Sequence, residues 1–196
     1  MHRVLGHHGL HACICKIGGA PYAAHGSGCN ILYQATLAAG YQSRREQIIP
    51  EFATKAVPSP QIDIDGWGLL GQPRLLVDFT IRHPLAQRYS TRDLNTSAHA
   101  DKTSHYVATH GFQVTPATLD AFGKHSPQLA GLLEHLADLA CTRERQMGLP
   151  PTRWLHKWRA QLSSVVAHMT GRAICEAAPS PADVCGFRSL RHVSPA

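Results

Sequence analysis

The stretch Gln61-Ile62-Asp63-Ile64-Asp65, followed after a glycine-rich connection by Pro73-Arg74-Leu75-Leu76-Val77-Asp78-Phe79-Thr80-Ile81, decides the fold. The first segment alternates apolar against acidic, the period of a half-exposed strand, and the second is a near-continuous apolar run of the kind found in buried central strands. Gly66, Gly68 and Gly71 predict a hairpin connection over Gly66–Gln72. Asp78 is the residue out of place. A carboxylate in a segment that wants burial must be paired, hydrogen-bonded or bound to a metal, because an isolated buried charge costs several kcal/mol or more. Asp63 and Asp65 share one face of their strand. Pairing of the two segments would therefore bring Asp63 or Asp65 up to Asp78, and two close carboxylates form a hard oxygen site suited to Mg²⁺. Such an ion polarises a phosphate oxygen, activates water and stabilises a leaving alkoxide. A lysine beside it orients the water or balances transition-state charge, and Lys102 is the candidate, with Glu46 completing the shell. The alternative is structural: Asp78 pairs with Arg74 or Arg82, or faces solvent at a strand edge.

Working outward, residues 1–29 are rich in Gly, His and Cys without a period, which predicts a compact loop-rich module. A helix is expected from Asn30, with Ile31, Leu32, Leu37 and Ala38 at helical spacing and Gly40 to end it. Tyr41–Ile49 alternates weakly as a strand, and Pro50, Pro58 and Pro60 bracket a loop. Pro84 ends the second of the quoted strands. Residues 97–110 are expected to be helical up to Gly111, with a short strand at Phe112–Val114. Ser126-Pro127 caps and opens a further helix whose apolar face is Leu129, Leu132, Leu133, Leu136 and Leu139. A last helix is expected from Thr152 to about Ala173, followed by a loose tail. The order predicts an α/β fold, a mixed central sheet flanked by helices, with an N-terminal knuckle and C-terminal helices. Four regions follow: residues 1–29, a core over 30–140, a basic helical extension over 141–176 and a tail over 177–196.

The 196 residues carry a formal charge of +6. From Arg143 onward there are eight Lys/Arg against three Asp/Glu, a net of +5, so the remainder is nearly neutral. A concentrated basic segment suits a polyanion, although it also describes a solvated helix face. Within it Trp154 and Trp158 lie four apart among Arg153, Lys157 and Arg159. They read as a nucleic-acid-binding face or, the favoured reading, as indoles packed on the core with basic residues in water. No apolar run approaches a membrane span, and the amino terminus does not read as a signal peptide, so an intracellular protein without a membrane partner is expected. Six irregularly spaced cysteines in that setting predict free thiols, with metal binding left open for Cys13, Cys15 and Cys29.

The order of these residues resembles a known family, the restriction-like endonuclease domain at the carboxyl end of site-specific non-LTR retrotransposon proteins and of reverse-transcriptase-derived genes. Its fold is that of the PD-(D/E)XK nucleases. The resemblance rests on Gly9-Leu10-His11-Ala12-Cys13-Ile14-Cys15-Lys16-Ile17-Gly18-Gly19, the helix opening at Asn30, Glu46, and Asp63 in Gln61-Ile62-Asp63-Ile64. It continues through Val77-Asp78-Phe79-Thr80-Ile81, Lys102 and Tyr106 as a Lys-x-x-x-Tyr helix, Gly111-Phe112 with Pro116, and Phe122-Gly123, covering about residues 6–140. It implies a restriction-endonuclease-like core in which Asp63 and Asp78 are Mg²⁺ ligands and Lys102 is the catalytic lysine. Glu46 becomes an auxiliary acid, and Tyr106 a neighbour of Lys102 one turn on. Thr80 stands where many nucleases of this fold place the lysine, and Asp65 is a substitute for Asp63.

The family's amino-terminal knuckle has two cysteines upstream of a His and a Cys. Here His11 and Cys15, with Cys13 beside them, are candidate Zn²⁺ ligands, and a truncated knuckle is the alternative. The family's Arg-His-Asn signature reads Gly28-Cys29-Asn30. The resemblance implies DNA as partner, with RNA as a further candidate, a reverse-transcriptase protein or other partner to supply the missing knuckle ligands, and nuclear residence in a eukaryotic host. With no reverse transcriptase ahead of it in this sequence, the chain is expected to be a detached fragment, a degenerate copy or a domesticated gene. A catalytically inactive nucleic-acid-binding remnant is therefore the alternative to an endonuclease.

Overall fold

The computed structural model describes residues 20–55, 57–83, 93–106, 113–144 and 150–177. Its elements are α1 (Ala20–Ala39), β1 (Gln42–Ile48), a 3-10 turn at Pro50–Phe52, β2 (Gln61–Trp67), β3 (Leu75–Arg82), α2 (Leu94–His105), β4 (Val114–Asp120), α3 (Pro127–Glu144) and α4 (Pro151–Ala177). The four strands form one mixed sheet in the order β1-β2-β3-β4. β1, β2 and β3 are antiparallel neighbours, and β4 returns parallel to β3 through the crossover that contains α2. The α/β expectation holds at this level.

Helix α1 begins ten residues before the expected start at Asn30, so Ala20–Cys29 are helical and not part of a loop-rich module. Glycines at 26 and 28 argued against a helix there, but tertiary packing overrides propensity. Gly28 is the position at which the Phe79 ring lies directly on the helix, with no room for a side chain. Residues 1–19, which hold His11, Cys13 and Cys15, lie outside the described residues.

Strand β4 extends to Asp120, well beyond the expected Phe112–Val114. Pro116 hid it, because proline cannot donate to a ladder. It is tolerated here in an edge strand, where it stands beside Asp78 of β3. Helix α2 starts at Leu94, three residues before expectation, because Asp93 caps it by accepting the Thr96 amide (2.8 Å). It ends at His105, before the expected residue 110, with Tyr106 as its C-cap, and Gly111 lies outside the described residues. Helix α3 starts as Ser126-Pro127 predicts: the buried Ser126 hydroxyl accepts the Leu129 amide (3.1 Å) and the Thr118 amide of β4 (3.3 Å).

The main core lies between one face of the sheet and helices α1, α3 and α4. Val77, Phe79 and Ile64 meet Cys29, Leu32, Leu133, Leu136, Trp158 and Leu162 in it. Trp154 and Trp158 are buried members of this core, as the favoured sequence reading had them. A smaller cluster of Ile49, Phe52, Ile62, Leu76 and Tyr106 fills the space on the α2 side. The sheet thus has helices on both faces, and the acidic strand residues lie between them.

Gly28 couples the main core to this acidic region, because the ring it accommodates belongs to the residue after Asp78. Replacing Gly28 by alanine forces a methyl into the buried Phe79 ring, and overpacking of this kind costs about 1–3 kcal/mol. Alanine gains about 1 kcal/mol of helix propensity at the same position, so urea unfolding of G28A is expected to show a net loss with an unchanged denaturant slope, and a gain of about 1 kcal/mol would show that α1 and β3 are not in close contact.

Candidate active site and metal-binding triad

The site is made where β2 and β3 part. Their ladder contains the pairs Gly66–Leu75, Asp65–Leu76 and Ile64–Val77 and stops there. The next residues, Asp63 and Asp78, are outside the ladder, and their carboxylates lie close enough to interact with each other. Beyond the last pair a strand's amides and carbonyls need new partners, since a buried backbone group without one costs about 1–3 kcal/mol. Side chains supply them. The Phe79 amide donates to Asp63 Oδ2 (2.7 Å), and His25 Nε2 lies 3.1 Å from the Phe79 carbonyl oxygen, within donating distance. The same ring nitrogen is 3.6 Å from Asp63 Oδ2. Asp63 and His25 together therefore finish the hydrogen bonding that the departing strand leaves open.

Asp78 lies on the α2 side of this fork. Its carboxylate is nearly buried and receives Lys102 Nζ on both oxygens, at 2.8 and 2.7 Å. Lys102 projects from the last turn of α2, and Tyr106 is the C-cap residue that follows it. Tyr106 donates its hydroxyl to the Gln61 carbonyl (3.0 Å) and packs edge-on against Phe52. The structure thus brings Asp63, Asp78, Lys102 and Tyr106 together.

Electrostatics follow from this packing. Burial pushes the Asp78 carboxyl above its ordinary value, and the Lys102 ammonium only partly offsets it. Asp63 is subject to the same burial, but the His25 ring and the Phe79 amide outweigh it and hold its carboxyl below the usual range. Two neighbouring carboxylates are thereby pushed in opposite directions. Burial first, and then the Asp78 carboxylate, push the Tyr106 phenol up.

Other candidates are placed elsewhere. Asp65 is bound by Arg74 through two bonds of 2.8 and 2.9 Å, so it does not substitute for Asp63. Arg82 pairs with Asp101 (2.7 Å). Neither arginine is thus the partner of Asp78, as the structural alternative had proposed. Glu46 stands opposite Asp63 in the β1–β2 register, bracketed by the pairs Arg45–Ile64 and Gln47–Ile62. Its backbone, however, is left-handed (φ 55°), and its exposed carboxylate meets Arg45 (3.3 Å). Among the described residues its carboxylate meets none of Asp63, Asp78 and Lys102, so the shell expected for an auxiliary acid is formed without it. Thr80 is half-buried on β3, and the lysine of the site comes from α2. On α4, Arg153 and Lys157 are exposed, Lys157 lies over the Trp158 ring, and Arg159 pairs with Glu134 (2.8 Å).

One residue of a further cluster, His25, escaped the sequence reading, and Cys29, which could be read as a ligand but more readily as a small buried thiol, stands beside it. His25 and Cys29 lie one turn apart on α1, and their donor atoms and an Asp63 oxygen all fall within 4.8 Å of one another, a candidate metal-binding triad. Cys29 Sγ is 3.6 Å from His25 Nδ1 and 3.8 Å from Nε2. The signal was the i, i+4 spacing of His and Cys, which has meaning only once residues 20–29 are recognised as helical. Hydrogen bonds with Asp63 and then Cys29 push the His25 pKa up to about 10 against the opposing effect of burial. Burial pushes the Cys29 thiol up.

No helix among the described residues is long and apolar enough to cross a membrane. Comparison with known proteins finds no family model that matches the chain and no curated protein that matches it.

The Asp78–Lys102 pair makes a stability test. Without its ammonium, Asp78 is a buried carboxylate that either stays charged at a cost or takes up a proton. Lys102→Met is expected to lose about 1–3 kcal/mol near pH 7 in urea unfolding. A carboxyl whose folded pKa lies above its unfolded value removes stability as pH rises between the two, so the deficit of K102M shrinks on acidification toward roughly pH 4. A deficit that is the same at both pH values would mean that Asp78 is not the group Lys102 compensates.

Proposed function

We propose that this chain is a metal-dependent endonuclease of the restriction-endonuclease-like type, which hydrolyses DNA phosphodiesters and derives from a retrotransposon. The observation that carries the reading is the fork itself: two aspartates from adjacent strands lie close together where the ladder opens, with a helix-borne lysine on one of them. The donor set fits a hard cation. Asp63 and Asp78 offer neighbouring carboxylate oxygens, and burial, which Lys102 only partly offsets, pushes the Asp78 carboxyl up. Mg²⁺ held by these two residues would polarise the scissile phosphate and lower the pKa of a bound water.

The chain's own groups have separable tasks. Asp63 is fixed by the Phe79 amide, so its carboxylate is pre-oriented before any ligand arrives. Lys102 reaches Asp78 from a different element and can shift from that carboxylate toward the phosphate, balancing charge that builds in the transition state. Tyr106, anchored to the Gln61 carbonyl, holds the end of α2 against β2 and so positions Lys102. Exposed Arg153 and Lys157 on α4 offer phosphate contacts away from the cleavage point.

A second reading has its own observation. Both oxygens of Asp78 are satisfied by Lys102, and Asp63 is satisfied by Phe79 and His25, so the fork is electrostatically complete without a metal. That arrangement suits a catalytically inactive nucleic-acid-binding remnant.

Plasmid nicking separates the two. Purified protein is expected to relax supercoiled DNA with Mg²⁺ and not with EDTA, and Asp78→Ala and Asp63→Ala are each expected to reduce the rate by at least about 10²-fold. DNA binding without cleavage at any Mg²⁺ concentration would establish the remnant.

A further inference from the structure

We propose that His25, Cys29 and Asp63 form a second metal site, selective for a thiophilic divalent ion of the Zn²⁺ type and distinct from the Mg²⁺ position between Asp63 and Asp78. The spacing of the donor atoms argues for it. Bond lengths of ~2.0–2.1 Å to nitrogen or oxygen and ~2.3 Å to sulfur put tetrahedral Zn²⁺ ligands roughly 3.4–3.6 Å from one another. Here His25 Nε2 is 3.6 Å from Asp63 Oδ2 and 3.8 Å from Cys29 Sγ, and every pair of ligand atoms lies within 4.8 Å. Closing onto an ion requires shifts of a few tenths of an ångström to about one, within reach of side-chain torsions, and His25 Nε2 exchanges its contact with the Phe79 carbonyl for the metal. The backbone already holds the three residues in place: His25 and Cys29 sit one turn apart on a helix pinned by the Gly28–Phe79 contact, and Asp63 is fixed by the Phe79 amide.

Chemistry selects the ion. A thiolate, an imidazole and one carboxylate are a mixed sulfur, nitrogen and oxygen set, which suits Zn²⁺ or Co²⁺ and is poor for Mg²⁺, a cation that takes oxygen ligands and keeps its waters. Cys29 is 2% exposed, which hides it from bulk oxidants, while the His25 side chain is 41% exposed and leaves an approach for the ion. Three protein ligands leave the fourth tetrahedral position for water. Binding takes the thiol proton of Cys29 and a ring proton of His25 into solvent. Because Asp63 belongs to both positions, an ion held here draws that carboxylate away from Asp78.

The test needs no nucleic acid and is therefore independent of the nuclease reading. The full chain carrying Cys13→Ser and Cys15→Ser is stripped with a chelator and titrated with Co²⁺ and with Zn²⁺ alone. One ion per chain is expected, with a thiolate-to-cobalt charge-transfer band that Zn²⁺ abolishes and Mg²⁺ does not. Cys29→Ala is expected to remove the band, and His25→Ala to weaken binding tenfold or more, with the far-ultraviolet circular dichroism of both unchanged. Lys102→Ala, which removes a proposed catalytic group, is expected to leave the cobalt spectrum intact. Should Cys29→Ala fail to fold, the half-exposed His25 variant still decides the matter. A folded protein that binds no Co²⁺, or a His25→Ala or Cys29→Ala protein that keeps both band and stoichiometry, overturns the proposal.

Discussion

Everything in this site depends on two backbone groups of Phe79. Strand β2 leaves β3 after the Ile64–Val77 pair, and a central strand cannot leave its amide and carbonyl unpaired away from water. The Asp63 carboxylate takes the amide and the His25 ring lies against the carbonyl oxygen. An open ladder between adjacent strands thus becomes a place where two charged side chains are held firmly, with Asp78 on the next residue of β3. The local hydrogen-bond deficit and the candidate constellation have the same origin.

Packing then makes the fork rigid. The Phe79 ring fills the space at Gly28, which fixes α1 against β3 and brings His25 and Cys29 to the fork from one face. From the other face, Tyr106 and its contact with Phe52 anchor the end of α2, so that Lys102 reaches Asp78. Asp63 therefore lies between a helix that supplies a nitrogen and a sulfur donor and a helix that supplies an ammonium. These two environments push the Asp63 and Asp78 carboxyls in opposite directions, an arrangement common where one carboxylate must bind and its neighbour must exchange protons or partners.

Much of this was legible in the sequence because it follows from period and placement. The alternation around Asp63, the apolar run around Asp78, the Ser126-Pro127 cap and the Lys102/Tyr106 spacing each name an element or a face. The parts that escaped share a cause: local signals that tertiary packing overrides. Gly26 and Gly28 disguised the first half of α1 as a loop and concealed His25 and its one-turn spacing to Cys29. Pro116 disguised an edge strand. Glu46 lies opposite Asp63 in register, but its backbone is left-handed, unusual for glutamate, its carboxylate meets Arg45, and no sequence pattern signals either.

The most direct measurement of the central claim is a crystal structure of the protein soaked in Mn²⁺, a Mg²⁺ surrogate with anomalous scattering. The account predicts an anomalous peak bonded to a carboxylate oxygen of Asp63 and one of Asp78, with Lys102 Nζ displaced from Asp78. A saturating soak in which Asp78 keeps Lys102 on both oxygens, and no peak falls between the two aspartates, would contradict it.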